Sequence, residues 1–266
     1  MNAAASGSPG ATLEPKAAGE VILSAENVGR RFGKFTALKG VSAEFRRGAL
    51  TAIIGPNGAG KSTFFNVLSG AFPPSEGRVT FEGRDVTGLP QHRFAHLGIA
   101  KSFQITNVFP GLTPLENIRV ARQALVSRFD LRRSRAGMTE IVEEAEELLR
   151  TVGLWHRRDD TASVMAHGEQ RALEIGMALA SRPRLLLLDE PTAGMSPEET
   201  RTMMDLILRL ASERTVILVE HKMKLVMGIC DRLLVLHHGE LLAEGTPDQI
   251  RRDETVKRVY LGQREH

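Results

Sequence analysis

The chain has 266 residues, 42% of them hydrophobic and 25% charged, with a formal net charge of +3. That is a globular composition with material for a sizeable core in one or two domains, and the charge is too small to argue for a nucleic-acid partner. Cys230 is the only cysteine, which excludes an intrachain disulfide and a zinc site built on cysteine pairs, and no apolar run approaches the ~20 residues that span a bilayer. A lone cysteine fits a reducing, cytosolic setting. At a membrane, such a chain needs a partner to hold it.

Residues 1–20 are rich in Ala, Gly, Ser and Pro and lack the apolar block of a signal peptide, so they read as a flexible tail. Val21–Glu26 and Leu50–Ile54 read as strands. After the second comes Gly55-Pro56-Asn57-Gly58-Ala59-Gly60-Lys61-Ser62-Thr63, and then a helical pattern to Leu68. This is a complete phosphate-binding loop in its strand–loop–helix context. The glycines let the backbone curl its N–H groups toward phosphate oxygens, and the helix N-terminus adds its positive dipole end. Lys61 supplies a cation for the outer phosphates, and the Ser62 hydroxyl suits Mg²⁺. A nucleoside triphosphate is the expected ligand.

Gly77–Gly83 reads as a strand of a small antiparallel layer, and Gly98–Phe103 is a further apolar run. From Thr113 to Ser181 the periodicity is helical. Between Thr139 and Val152, Ile141, Val142, Ala145, Leu148, Leu149 and Val152 share one face, with four glutamates largely opposite. The arginines at 128, 132, 133 and 135, and at 150, 157 and 158, read as a solvated helix face or as a surface close to phospholipid head groups. Strands resume at Arg184–Leu188, Thr215–Val219 and Leu233–Leu236, with helices at Pro197–Ser212 and Lys222–Cys230 between them. The run Leu185-Leu186-Leu187-Leu188 ends in Asp189 and Glu190. After a phosphate loop, the first acid is placed to hold Mg²⁺, and the second to orient or deprotonate a water. Apolar strand runs alternating with helices imply a parallel sheet covered on both faces, with a helical block inserted mid-chain.

With these motifs in this order, the sequence resembles the ATP-binding subunits of ABC transporters. The resemblance implies an α/β fold: a RecA-like phosphate-loop NTPase core with a parallel sheet, a small antiparallel β layer and an inserted helical subdomain. Residues 21–104 and 182–264 are the core, and 105–181 the helical subdomain. ATP and Mg²⁺ are the implied cofactors. Met165-Ala166-His167-Gly168-Glu169-Gln170 corresponds to the signature loop, commonly Leu-Ser-Gly-Gly-Gln, which reaches the γ-phosphate held by a second ATPase subunit. Here Ala166 lacks the hydroxyl, and His167 and Glu169 depart from the common residues. Gln104 matches the glutamine that touches Mg²⁺ and water, His221 the histidine that contacts the γ-phosphate, and Phe32 the aromatic that stacks on adenine. Phe35 is an alternative stacking residue, and a core role for Phe32 is also open. Ala193–Ser196 occupies the dimer-contact loop, with Ser196 where aspartate is common.

Asn107–Thr113 with Glu116 and Asn117, Arg171–Ile175, Glu220–Met227, Glu244–Pro247 and Val259–Gly262 resemble the branch serving branched-chain amino-acid importers. The related urea and amide importers share much of this, including Ala193–Thr200. The implied partners are membrane permease subunits, docked along Ile105–Phe109, and indirectly a solute-binding protein. The implied place is the cytoplasmic face of the cell membrane. Non-transport relatives in DNA repair or translation carry coiled-coil or zinc inserts or tandem ATPase domains, and this chain has one set of motifs and one cysteine. A switch GTPase needs an Asn-Lys-x-Asp element, which is absent.

Overall fold

The computed structural model describes residues 19–102, 108–126 and 135–261. Two twelve-residue strands, β1 (Val21–Phe32) and β2 (Phe35–Arg46), form an antiparallel hairpin. Then follow β3 (Leu50–Ile54), α1 (Lys61–Leu68), β4 (Glu76–Phe81), β5 (Arg84–Asp85), α2 (Gln91–Leu97) and β6 (Ile99–Lys101). Three helices come next: α3 (Pro114–Val126), α4 (Arg135–Thr151) and α5 (His167–Leu179). The chain closes with β7 (Leu185–Asp189), α6 (Pro197–Glu213), β8 (Thr215–Val219), α7 (Met223–Val226), β9 (Arg232–His237), β10 (Glu240–Gly245), α8 (Pro247–Arg252) and α9 (Glu254–Leu261).

Two sheets result. The first is antiparallel with order β2-β1-β4-β5. The second has order β10-β9-β3-β8-β7-β6, parallel from β9 to β6, with β10 antiparallel at one edge. Every residue of β3, β7 and β8 is buried. Strands covered on both faces read as unbroken apolar runs, which is why Leu185–Leu188 carries no alternation. Successive side chains still point to opposite faces. Leu185 and Leu187 join a core with α1 and the antiparallel sheet, whereas Leu186 and Leu188 join a core with α5 and α6. The parallel sheet is thus clamped between two hydrophobic layers.

Several elements depart from the sequence reading. β1 continues six residues past Glu26, and its partner β2 is additional. The reason is a bulge: Asn27 has φ of 49° and the pairing register shifts between Ala25 and Val28, which breaks the period-two pattern. The helix expected over Lys222–Cys230 is a single α-turn, Met223–Val226. Gly228 and Ile229 then bond to Leu225 and Val226, three residues back, so the chain tightens at a glycine instead of propagating the helix. α8 is also additional to the sequence reading, although Thr246-Pro247-Asp248-Gln249 is a capping box with proline at the first helical position.

Among the described residues no helix is long and apolar enough to cross a membrane. Of the two arginine groups, 128, 132 and 133 lie outside the described residues. Arg150 and Arg158 stack on Trp155, at 3.9 and 4.8 Å from its ring centroid, so these guanidinium groups are partly committed within the chain.

Candidate functional site

β3 delivers the chain to the phosphate loop at Gly55. A Cβ at Gly55 would lie 2.3 Å from the Leu236 carbonyl, and one at Gly60, where φ is 98°, 2.8 Å from the Ala37 carbonyl. Neither position admits a side chain, so the loop is pinned between β9 and the β1–β2 hairpin. Gly60 is the N-cap of α1 and gives it no side-chain cap, and the first turn holds no acidic residue. The first amides of α1 therefore remain available to an anion. Asn57, Gly58 and Ser62 are exposed, whereas the side chains of Pro56 and Ala59 are buried. Lys61 is buried and donates to the Gly55 and Pro56 carbonyls at 2.8 and 3.0 Å. Burial lowers its pKa, against the pull of Glu190 and Asp189.

Asp189 ends β7 at 2% exposure, and its Oδ1 is buried with no hydrogen-bond partner. Burial raises its carboxyl pKa, opposed by Lys101 and, more weakly, by Arg171 and Lys61. An orphaned carboxylate oxygen at the end of β7 and an exposed serine hydroxyl at the start of α1 are donors of the kind that suit a hard divalent cation taking its other oxygens from water or phosphate. Among the described residues no three His, Cys, Asp or Glu side chains cluster to hold a metal. The sign of the Asp189 shift carries a prediction. A carboxyl whose folded pKa is raised contributes stability that is full below its ordinary value and is lost as pH rises through the folded value. The buried carboxyl with an unpartnered oxygen is therefore a cost to the nucleotide-free fold, and Asp189→Asn is expected to raise its melting temperature while removing its further rise with Mg-ATP. A lower melting temperature without nucleotide would contradict this.

Glu190 has φ of 44°, unusual for a residue with a side chain, and its amide donates to the Val219 carbonyl at 3.0 Å. That bond ties the end of β7 to the end of β8, where His221 follows. His221 Nδ1 lies 3.9 Å from Glu190 Oε1. The structure thus brings together Glu190 and His221, which are 31 positions apart in the chain. Lys101, at the end of β6, was not singled out by sequence. It donates to Asn66 Oδ1 at 2.5 Å and opposes the ionisation cost of Asp189. Gln104 lies outside the described residues. The Ser102 amide donates to Leu187 O at 2.8 Å, so the pairing of β6 with β7 continues to residue 102.

The signature segment starts α5. Ala166 is its N-cap and has no hydroxyl to cap it. Glu169 turns back, accepting from the Ala166 amide at 2.9 Å and from Arg157 at 3.0 Å. Burial works against it, but these partners hold its carboxyl below the ordinary value. Met165, expected among the nucleotide contacts, packs in the core with Ala162 and Ala172. His167 Nε2 lies 3.2 Å from the Ala193 carbonyl, and the Gly168 amide donates to Glu199 at 3.1 Å. Ser196 caps α6 in a reciprocal box with Glu199, which gives it a local role where aspartate was the comparison. Phe32 and Phe35 are 41% and 66% exposed at the β1–β2 turn, so neither is a core residue. Phe32 meets Phe72 edge-on at 5.6 Å, with Arg30 over its face. Phe35 is the freer ring.

Residues 38–193 match the family model described as ABC transporter. The chain belongs to this family. Residues 240–266 match a second model, described as branched-chain amino acid ATP-binding cassette transporter. Among curated relatives of this ABC protein is the high-affinity branched-chain amino acid transport ATP-binding protein BraF of Pseudomonas aeruginosa, 40% identical over 91% of this chain and 98% of the relative. Its fold matches the ADP conformation of an ATP-binding cassette of an ABC transporter, with TM-score 0.81 and 32% identity over 91% and 99% of the two chains. It also matches a dimeric post-hydrolysis ATP-binding cassette bound to ADP and Pi, with TM-score 0.72 and 26% identity over 85% and 99%. The α/β nucleotide-binding fold and ATPase class expected from sequence are those of these relatives.

Proposed function

We propose that this ABC ATPase energises uptake of branched-chain amino acids through a membrane permease. The observation that carries the chemistry is the meeting of Lys61, Asp189, Glu190 and His221 where β3, β7 and β8 end. The first amides of α1 and Lys61 bind the β- and γ-phosphates. Ser62, Asp189 and Gln104 would hold Mg²⁺, which when bound neutralises charge on the phosphate oxygens. Glu190 orients and deprotonates the attacking water, and His221 donates to the γ-phosphate. Phe32 or Phe35 stacks on adenine. The match to the BraF relative and to the branched-chain amino acid cassette model over the C-terminal residues supports the cargo.

A second ATPase subunit, identical or sister, completes each site with Ala166–Glu169. Glu169 then shapes the loop rather than touching phosphate, because its carboxyl is committed to Arg157 and Ala166. The permease docks on the side where core and helical block meet. There an apolar cleft of about 440 Å³, lined by Phe94, Ala100, Lys101, Ala121, Leu125 and Met177, begins three residues before Gln104. Phe109 is 49% exposed, whereas Val108 packs partly against the core. Held in this way, the chain sits at the cytoplasmic face of the membrane, and a solute-binding protein delivers cargo from the other side. Phe109→Asp is expected to abolish co-purification with the permease while leaving ATP affinity at the parental value. Full retention of permease by the folded variant would move the docking surface elsewhere.

A further inference from the structure

Thr192 lies two residues after Glu190, and Glu220 immediately precedes His221. Both are fully buried, at 0% exposure. Glu220 Oε1 accepts from the Thr192 amide at 3.2 Å and from its hydroxyl at 2.6 Å. Glu220 Oε2 accepts from the His221 amide at 3.2 Å. On the other side of His221, Lys222 Nζ donates to the Thr192 carbonyl at 3.1 Å. The amide, hydroxyl and carbonyl of Thr192 are therefore all held by the two residues that flank His221. A weaker backbone bond, from the Glu220 amide to the Ile53 carbonyl at 3.4 Å, reaches the strand that leads into the phosphate loop.

An apolar residue at 220 would fill a buried position without the desolvation cost of a carboxyl group. What the carboxyl group adds is direction: Oε1 takes both Thr192 donors and so fixes the two loops against each other, while Oε2 takes the amide of His221 in its own loop. The residues above this tie need such support. The side chains of His221 and Glu190 are 48% and 27% exposed, so packing alone does not place them. Glu190 also holds a left-handed φ, a conformation that persists only where its surroundings enforce it.

We infer that Glu220 and Thr192 are positioning residues for ATP hydrolysis, setting through their buried hydrogen bonds the separation of Glu190 from His221. This rests on the roles given above to Glu190 and His221. The test is steady-state ATPase activity of the full chain, with Mg-ATP affinity measured separately by fluorescence titration. Thr192→Val and Glu220→Gln are each expected to lower kcat about tenfold or more with Kd for Mg-ATP nearly unchanged, because a small misplacement of reacting groups is costly. Thr192→Ser, which keeps the hydroxyl, restores most of the rate. The double variant Thr192→Val/Glu220→Gln loses no more than the worse single variant, since both break one connection.

Parental kcat in folded Thr192→Val, equal loss in Thr192→Ser, or losses that multiply in the double variant would overturn the inference. So would a matching loss of nucleotide affinity, which marks a general structural role. If Thr192→Val fails to fold, the near-isosteric Glu220→Gln and Lys222→Met decide, and parental kcat in both overturns it. Glu190→Gln and His221→Ala run alongside. Parental turnover in those two overturns the roles beneath the inference, and the inference falls with them. Loss in those two with parental turnover in Thr192→Val overturns the inference alone.

Discussion

Glu190→Gln is expected to bind Mg-ATP as tightly as the parent and to turn it over at least ~10²-fold more slowly, the cost typical of a missing general base. The amide is close to the carboxylate in size, so nothing in the packing of β7 changes. The Glu190 amide still donates to Val219, and the left-handed turn after Asp189 is retained. What is lost is the acceptor for a water proton. Affinity is expected to survive because the phosphate contacts belong to other residues, Lys61 and the first amides of α1. Nucleotide binding and single-turnover hydrolysis, measured on the same preparation, separate the two effects. Hydrolysis at the parental rate would assign the base elsewhere, and loss of binding would place Glu190 among the phosphate ligands.

Lys61→Ala is expected to have an effect of similar size, but on the other side of that division. Lys61 is the only cationic side chain in Gly55–Thr63, and its amine is already directed at the loop carbonyls of Gly55 and Pro56. A γ-phosphate drawn to that amine gains a charge-assisted hydrogen bond, about twice as strong as a neutral one. Without it, no cationic side chain of the loop meets the charge on the outer phosphates. Most of the Mg-ATP affinity is therefore expected to disappear, and turnover with it. Titration with a fluorescent ATP analogue checks this, and an unchanged Kd with unchanged turnover would remove Lys61 from the site.

Legibility from sequence followed the range of the forces involved. β3, β7 and β8 were plain because burial on both faces leaves no polar interruption, and β8 was read at its observed bounds. The phosphate loop was plain because its function depends on backbone shape, which local glycines dictate. β1 was cut short because a bulge at Asn27 shifts the alternation that the reading relies on. α7 was overdrawn because Met223, Val226 and Met227 keep a helical spacing through residues that the chain does not wind into a helix. The burial of Met165 has no local signal, because position in a motif says nothing about burial. The bond of Glu169 to Arg157 has no local signal either, because Arg157 lies in a 3-10 turn that periodicity does not reveal. The Glu220–Thr192 tie had no local signal, because it joins residues 28 positions apart. Glu199 had one, since Ser196-Pro197-Glu198-Glu199 is a capping box, but its second bond, to Gly168, is visible only in three dimensions.

The central claim is that ATP hydrolysis by this chain drives amino-acid import, and uptake of radiolabelled leucine tests it most directly. The measurement is made on the cells that carry the chain, with Glu190→Gln substituted for the parental sequence and labelled urea supplied in parallel as alternative cargo. The account predicts that leucine uptake falls to the background rate while the variant chain is present at its normal level and urea uptake is unchanged. Leucine uptake at the parental rate, with the ATPase activity of the purified variant demonstrably lost, would contradict it.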